Sequence, residues 1–234
     1  METPFYLCVP AAKHIVVSGD IHGEFNTLVY KLCVQQANNW IVFVRGNHDN
    51  PAYFNGNAFA YKRFIAVPDY AVIHACNKTI LGVGGGISID RVPRKEKWKL
   101  YYHIYREFLH IPDNSSFARN FYWNDEPPVY DETLLEVVGK KYSIDTVISH
   151  TAPSFCEKIS KSMVEHFAQS DPTLLKDVQA ERKTMDAIFH KLIADGHPVN
   201  NWFYGHFHQS WNADISGVRF KMLDIMEFAT LGEV

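Results

Sequence analysis

Several apolar runs in this chain stop abruptly at short polar clusters, and that alternation limits the folds open to it. His14-Ile15-Val16-Val17-Ser18 runs into Gly19-Asp20-Ile21-His22-Gly23, and Trp40-Ile41-Val42-Phe43-Val44 runs into Arg45-Gly46-Asn47-His48-Asp49. Thr146-Val147-Ile148 leads to Ser149-His150-Thr151-Ala152-Pro153, and Trp202-Phe203-Tyr204 leads to Gly205-His206-Phe207-His208. Short continuous runs rich in β-branched and aromatic residues fit buried strands of a parallel sheet. Loops at the carboxyl ends of such strands converge on one crevice. An α/β fold is therefore expected, with the polar clusters gathered at one edge of the strands.

The segments between the runs agree with that expectation. Residues 24–36 carry Phe25, Leu28, Val29, Leu32 and Cys33 at helical spacing. Residues 70–74 and 78–83 predict a hairpin around Asn77-Lys78. Residues 94–110 are aromatic and basic and predict a helix. Residues 111–130 hold Pro112, Asp113, Asn114, Pro127 and Pro128, the composition of a surface loop or insertion. A short helix is expected over 131–141. A longer one is expected from Asp171-Pro172, with proline at its first position. Leu174, Leu175, Val178, Met185, Ile188, Phe189, Leu192 and Ile193 form its apolar face, and Gly196 suits its end. Residues 218–223 predict a last strand. No repeat, low-complexity stretch or linker interrupts the chain, so residues 1–234 are expected to form a single domain.

Composition removes several functions. The 234 residues are 47% hydrophobic with a formal net charge of -3, which argues against a broad nucleic-acid or membrane surface. The four cysteines, Cys8, Cys33, Cys76 and Cys156, are scattered singly and are read as reduced. No signal peptide or bilayer-length apolar run is visible, so a cytoplasmic location is expected. The sequence leaves the oligomeric state open. Of 12 histidines, five lie in the four clusters, and that concentration gives the clusters their chemistry.

Asp20 and His22 lie two apart, so in an extended turn both side chains reach the same side. His206 and His208 repeat the spacing. Asn47 adds an amide oxygen and His150 another imidazole. Carboxylate oxygen with imidazole nitrogen suits Mn, Fe or Zn. Six donors exceed what one four-coordinate ion needs and point to two divalent metal ions. Two ions roughly 3.5–4 Å apart can activate a water and clamp a phosphoryl group. Arg45 has the planar fork that grips phosphate, and His48 can give a proton to a leaving oxygen. Each cluster alone reads more simply as a turn; the ordered set does not. Gly84-Gly85-Gly86 reads either as a flexible turn or as a place where backbone meets phosphate. Arg91, Arg94, Lys95, Lys97 and Lys99 read as a solvated helix face or as an anion-attracting rim.

The ordered set resembles the calcineurin-like metallophosphoesterase superfamily, whose blocks are Asp-x-His, Gly-Asp-x-x-Asp, Gly-Asn-His-Asp/Glu, a His, and Gly-His-x-His. Asp20/His22, Gly46-Asn47-His48-Asp49, His150 and Gly205-His206-Phe207-His208 match four of the five in order. Gly19-Asp20-Ile21-His22-Gly23 and Arg45-Gly46-Asn47-His48 look like the phosphoprotein-phosphatase branch. Ser149-His150-Thr151-Ala152-Pro153 looks more like bacterial and phage relatives. The resemblance implies a four-layered α/β/β/α sandwich of two mixed sheets. It implies that Asp20, His22 and His208 hold one ion, that Asn47, His150 and His206 hold the other, and that His48 and Arg45 are catalytic. The implied activity is hydrolysis of a phosphorylated substrate, protein or small molecule, with a phosphomonoester preferred because of Arg45. A phosphodiesterase or dinucleoside-polyphosphate hydrolase is the enzymatic alternative.

One block is absent. Residues 24–39 contain no Asp, and Glu24 is their only acidic residue. They have room for a helical crossover but not for an additional strand. The family's carboxylate shared by both ions, which offsets their repulsion, therefore has no counterpart here. Either a segment between residues 24 and 40 is missing from this sequence, or the protein lacks the bridge. The second case leaves a one-ion site or a metal-binding relative without turnover. An intact mass near 26.9 kDa would rule out the first.

Overall fold

A computed structural model describes residues 4–9, 40–57, 63–97, 99–100 and 122–231, together with the backbone of 14–18. Asp20, His22, Cys33, the helix expected over 24–36 and the aromatic residues Tyr101, Tyr102, Tyr105 and Phe108 lie outside the described residues.

Among the described residues ten strands form two sheets. Strands β2 (His14–Ser18), β3 (Trp40–Val44) and β4 (Phe64–Ala66) make a parallel three-stranded sheet with β3 in the centre. β2 and β3 pair directly, His14 opposite Trp40 and Ser18 opposite Val44. The two strands are therefore parallel neighbours in this sheet.

The larger, mixed sheet has seven strands in the order β1-β5-β6-β7-β8-β10-β9. These are Tyr6–Cys8, Ala71–Ala75, Lys78–Val83, Thr146–Ser149, Asn201–Tyr204, Val218–Met222 and Trp211–Ile215 in that order. β5 and β6 are the expected hairpin. Its turn residues Cys76 and Asn77 have φ of 53° and 57°, the left-handed pair that lets a two-residue turn follow strand twist. β9 and β10 form a second hairpin at Ser216-Gly217, φ 52° and 80°. The sequence reading missed β9, although Ser-Gly between alternating residues is a turn signal.

Alternation along the strands sorts their side chains onto two faces. Val72, Leu81, Val83, Val147, Trp202, Tyr204 and Phe220 face one core with Leu135 and Val138 of α2 (Glu132–Lys141) and Met185, Ile188, Phe189 and Leu192 of α4 (Leu174–Ala194). The intervening residues Ala71, Ile73, Ile80 and Ile148 face Val42 and Val44 of the small sheet. Phe43 points the other way, with its ring centroid 4.8 Å from that of Phe64. The described residues thus stack helices, large sheet and small sheet in that order.

The helices are punctuated as their sequence asks. The Asp131 side chain accepts from Leu134 N at 2.9 Å and caps α2, whose last turn carries Lys140 and Lys141. Residues 91–97 and 99–100 are helical (α1), and a short helix covers Val164–Ala168 (α3). α4 begins at Leu174, three residues after Asp171, whose carboxylate is bound by Arg91 at 2.5 and 3.1 Å. Gly196, at φ 77°, comes just after its end as expected. Among the described residues no helix is long and apolar enough to cross a membrane.

Candidate functional site

Backbone hydrogen bonds bring the polar loops together before any side chain is considered. Gly85 N donates to Arg45 O at 2.7 Å, tying the loop after β3 to the loop after β6. His150 N donates to Val83 O at 3.1 Å, and Gly205 N to His150 O at 3.1 Å. Four strand ends, from two sheets, thus form one continuous rim.

Three of the expected ligands meet on that rim. Asn47 Oδ1 lies 2.8 Å from His150 Nε2 and 3.1 Å from His206 Nδ1, and the two nitrogens are 3.0 Å apart. The three residues are 0%, 2% and 6% exposed. Burial, with Lys161 and then His150 adding to it, holds His206 well below the usual histidine range, so its ring is neutral near pH 7. Both His206 and His208 adopt left-handed backbone, φ 68° and 54°, which non-glycine residues adopt at a cost. His208 is exposed. Its expected companions Asp20 and His22 lie outside the described residues. Among the described residues no three His, Cys, Asp or Glu side chains are placed to hold a metal ion; the trio here is two imidazoles and an amide.

The glycine run is closely packed. A Cβ on Gly86 would lie 3.0 Å from His150 Cδ2 and 3.1 Å from His206 Cε1, so the backbone itself forms the floor under the two rings. Gly85 has φ of 92°, and a Cβ there would lie 2.5 Å from Glu126 O.

Arg45, expected to hold phosphate oxygens, is 5% exposed and bonded within the protein. It donates to Asp69 Oδ2 at 2.8 Å, Glu126 O at 2.8 Å and Asp125 O at 3.2 Å. Its fork suits carbonyl and carboxylate oxygens as well as phosphate. His48 has a different cation beside it, Arg94, with Nη2 2.6 Å from His48 Nε2. A guanidinium only donates, so this His48 nitrogen accepts and the ring proton lies on Nδ1. Asp49 is turned inward, its Oδ2 accepting Gly46 N at 2.8 Å, and closes the turn carrying Asn47 and His48. The basic stretch is thereby partly used: Arg91 binds Asp171 and Asp177, and Lys95 lies over the Tyr122 ring.

Three polar residues of the site were not anticipated. Ser88 accepts from Asn47 Nδ2 at 2.8 Å. Ser88 also donates from N and Oγ to the Glu126 carboxylate at 2.7 and 2.8 Å. Glu181, from α4, accepts Thr151 Oγ1 at 2.7 Å and Ile87 N at 2.5 Å. The 122–130 part of the expected surface loop instead folds inward: Trp123, Glu126 and Pro128 are buried. The reason is the bonding of its carbonyls, which Arg45, Gly86 N and Tyr70 OH all use.

Burial pushes the Glu126 carboxyl up from 4.5 to about 7, against the opposing Ser88 hydrogen bonds. The folded state therefore keeps a proton that the unfolded chain has released above about pH 4.5. That proton's contribution to stability is complete below pH 4.5 and is lost as pH rises towards 7, about 3 kcal/mol in all. Glu126→Gln removes this dependence. Urea unfolding at pH 5 and pH 8 should show the variant gaining relative to wild type by a few kcal/mol; a constant difference would contradict the assignment.

No protein-family model and no curated protein matches this chain. Among solved structures, a phosphopantetheinyl hydrolase (PptH) from Mycobacterium tuberculosis is similar at 13% identity and a TM-score of 0.36, over 91% of this chain and 78% of that one. A likeness that low carries no argument about activity.

Proposed function

We propose that this chain is a metal-dependent phosphoester hydrolase. The observation that carries the reading is the meeting of Asn47 Oδ1, His150 Nε2 and His206 Nδ1. Two donor atoms at about 2.1 Å from an octahedral ion, 90° apart, are about 3.0 Å from each other. The separations of 2.8 to 3.1 Å in the trio fit that spacing. Asn47, His150 and His206 would hold one divalent ion, and Asp20, His22 and His208 would hold a second. Bound there, such ions supply Lewis-acid activation of water and neutralise phosphoryl charge. The four-layered sandwich belongs to the same proposal.

The chain's own residues do the remaining work. Arg94, beside His48, is the cation we assign to phosphate oxygens, and Arg45 holds the Arg45–Asp49 loop against residues 125–126. With Arg94 on phosphate, His48 Nε2 can take up a proton from solvent and give it to the leaving oxygen. A phosphomonoester is the preferred substrate class, with Mn, Fe or Zn as the metal.

The absence of Asp from residues 24–39 favours a second reading, a metal-binding relative without turnover. One experiment separates the two. Protein stripped with a chelator and reloaded with Mn²⁺ is assayed on an aryl phosphate and on a bis-aryl phosphate. Mn²⁺-dependent turnover with the monoester faster is expected. Faster diester turnover would replace the substrate assignment, and no turnover in metal-loaded protein would leave the second reading.

A further inference from the structure

We propose that Ser88 and Glu126 form a relay that fixes the Asn47 side-chain amide with its oxygen towards His150 and His206. Both are then positioning residues for the ion that this trio would hold. The inference rests on the metal-site reading above and deepens it.

Proton positions dictate the orientation. Ionised Glu126 has no proton to give, so it only accepts. Ser88 meets it twice, through N at 2.7 Å and through Oγ at 2.8 Å. The single hydroxyl proton of Ser88 is therefore directed at the carboxylate. Only lone pairs remain on Ser88 Oγ, and they call for a donor. Asn47 lies 2.8 Å away and must present Nδ2 there. Its oxygen is then compelled to face His150 Nε2 at 2.8 Å and His206 Nδ1 at 3.1 Å.

The direction matters because the opposite one is an attractive trap. With the amide turned over, its two N–H groups would donate to the two imidazole nitrogens. That arrangement gives both imidazole nitrogens a donor without an ion and blocks the ion's place. The relay penalises it by setting Asn47 Oδ1 against a serine oxygen whose proton points elsewhere. An unmet polar atom buried in this way costs about 1–3 kcal/mol.

The segment bearing Glu126 is anchored for the task. Gly86 N donates to Glu126 O at 3.1 Å, and Arg45 Nη1 donates to the same oxygen at 2.8 Å. Arg45 thus grips the peptide of the relay's last member while its own neighbours Gly46 and Asn47 carry the first.

Glu126→Gln makes a sharp test because it reverses the relay while keeping the shape. The new amide oxygen takes Ser88 N, and its NH2 donates to Ser88 Oγ. The Ser88 proton is then driven to Asn47 and turns that amide over. Ser88→Ala removes the relay altogether. Mn²⁺ affinity is measured by calorimetry at about pH 8, where Glu126 is ionised, alongside the unfolding temperature of the metal-free proteins. Each single variant should weaken Mn²⁺ binding about 10–100-fold, the range for residues that orient a ligand. The double variant should be no weaker than Ser88→Ala alone, since the two act in series. Metal-free unfolding temperatures should not track that order. Binding within two-fold of wild type in both single variants, while His206→Asn abolishes it, would overturn the relay and leave the metal reading intact. Failure of wild type to bind Mn²⁺, Zn²⁺ or Fe²⁺ would overturn the metal reading and, with it, the relay's purpose.

Discussion

Replacing His206 by Asn is expected to lower metal-dependent turnover at least about 100-fold while leaving the fold standing. Substitutions that only disturb the orientation of a ligand cost 10–100-fold, so removing a ligand itself should cost no less. Asparagine is chosen because the backbone at His206 has φ of 68°, which asparagine tolerates better than most residues. Its short amide keeps a polar group at the rim without reaching the position of His206 Nδ1.

The same geometry sets the expected stability of the variant. In the metal-free protein two imidazole nitrogens and an amide oxygen are crowded at 2.8 to 3.1 Å in a buried space. At most two protons can lie between them, and His206 is held neutral by burial. Crowding of this kind is a local cost, and removing one member relieves it. Metal-free wild type and His206→Asn should therefore unfold within a few degrees of each other. Mn²⁺ at about 100 times its dissociation constant should stabilise wild type by about 2.7 kcal/mol, or about 5–10 °C for a chain of this length. The variant should show no such rise. An equal rise in both proteins would place the ion elsewhere and remove the basis of the proposed function.

Much of this arrangement was legible in the sequence because parallel strands announce themselves. Trp40–Val44, Thr146–Ser149 and Asn201–Tyr204 are strands built around short apolar runs, and the loop after each must lie at that strand's carboxyl end. Proximity of Asn47, His150 and His206 is a consequence of topology once those strands exist. β1 (Tyr6–Cys8) and β4 (Phe64–Ala66) were not legible, since three residues carry no readable period and both are edge strands. The partners of Arg45 were hidden for a different reason. Asp69 is 24 residues away and Glu126 is 81, and no local pattern links them. Proline-rich chemistry around Glu126 correctly indicated irregular backbone. It could not indicate burial, because a loop can be buried wherever its carbonyls find donors.

Glu181, in contrast, carries a sequence signal that the motifs overshadow. Leu174, Val178, Met185, Ile188 and Leu192 advance by four, seven, three and four residues, and position 181 divides the gap of seven. A carboxylate on the apolar stripe of a helix is a buried charge with a purpose. In the structure it joins α4 to two of the site's loops, through Thr151 Oγ1 after β7 and Ile87 N after β6. Burial pushes its carboxyl up, while these two donors oppose the shift. Glu181→Leu keeps the apolar face of α4 continuous and leaves both donors without an acceptor. At about 1–3 kcal/mol for each buried donor, the loss should be about 2–5 kcal/mol. For a chain of this length that corresponds to an unfolding temperature lower by about 10 °C. Glu181→Gln retains one acceptor oxygen and should lose less than half as much. Differential scanning calorimetry of the metal-free proteins reads both. Leucine at 181 matching wild type would mean that the two donors find water, and that α4 does not brace the loops carrying His150 and Gly86.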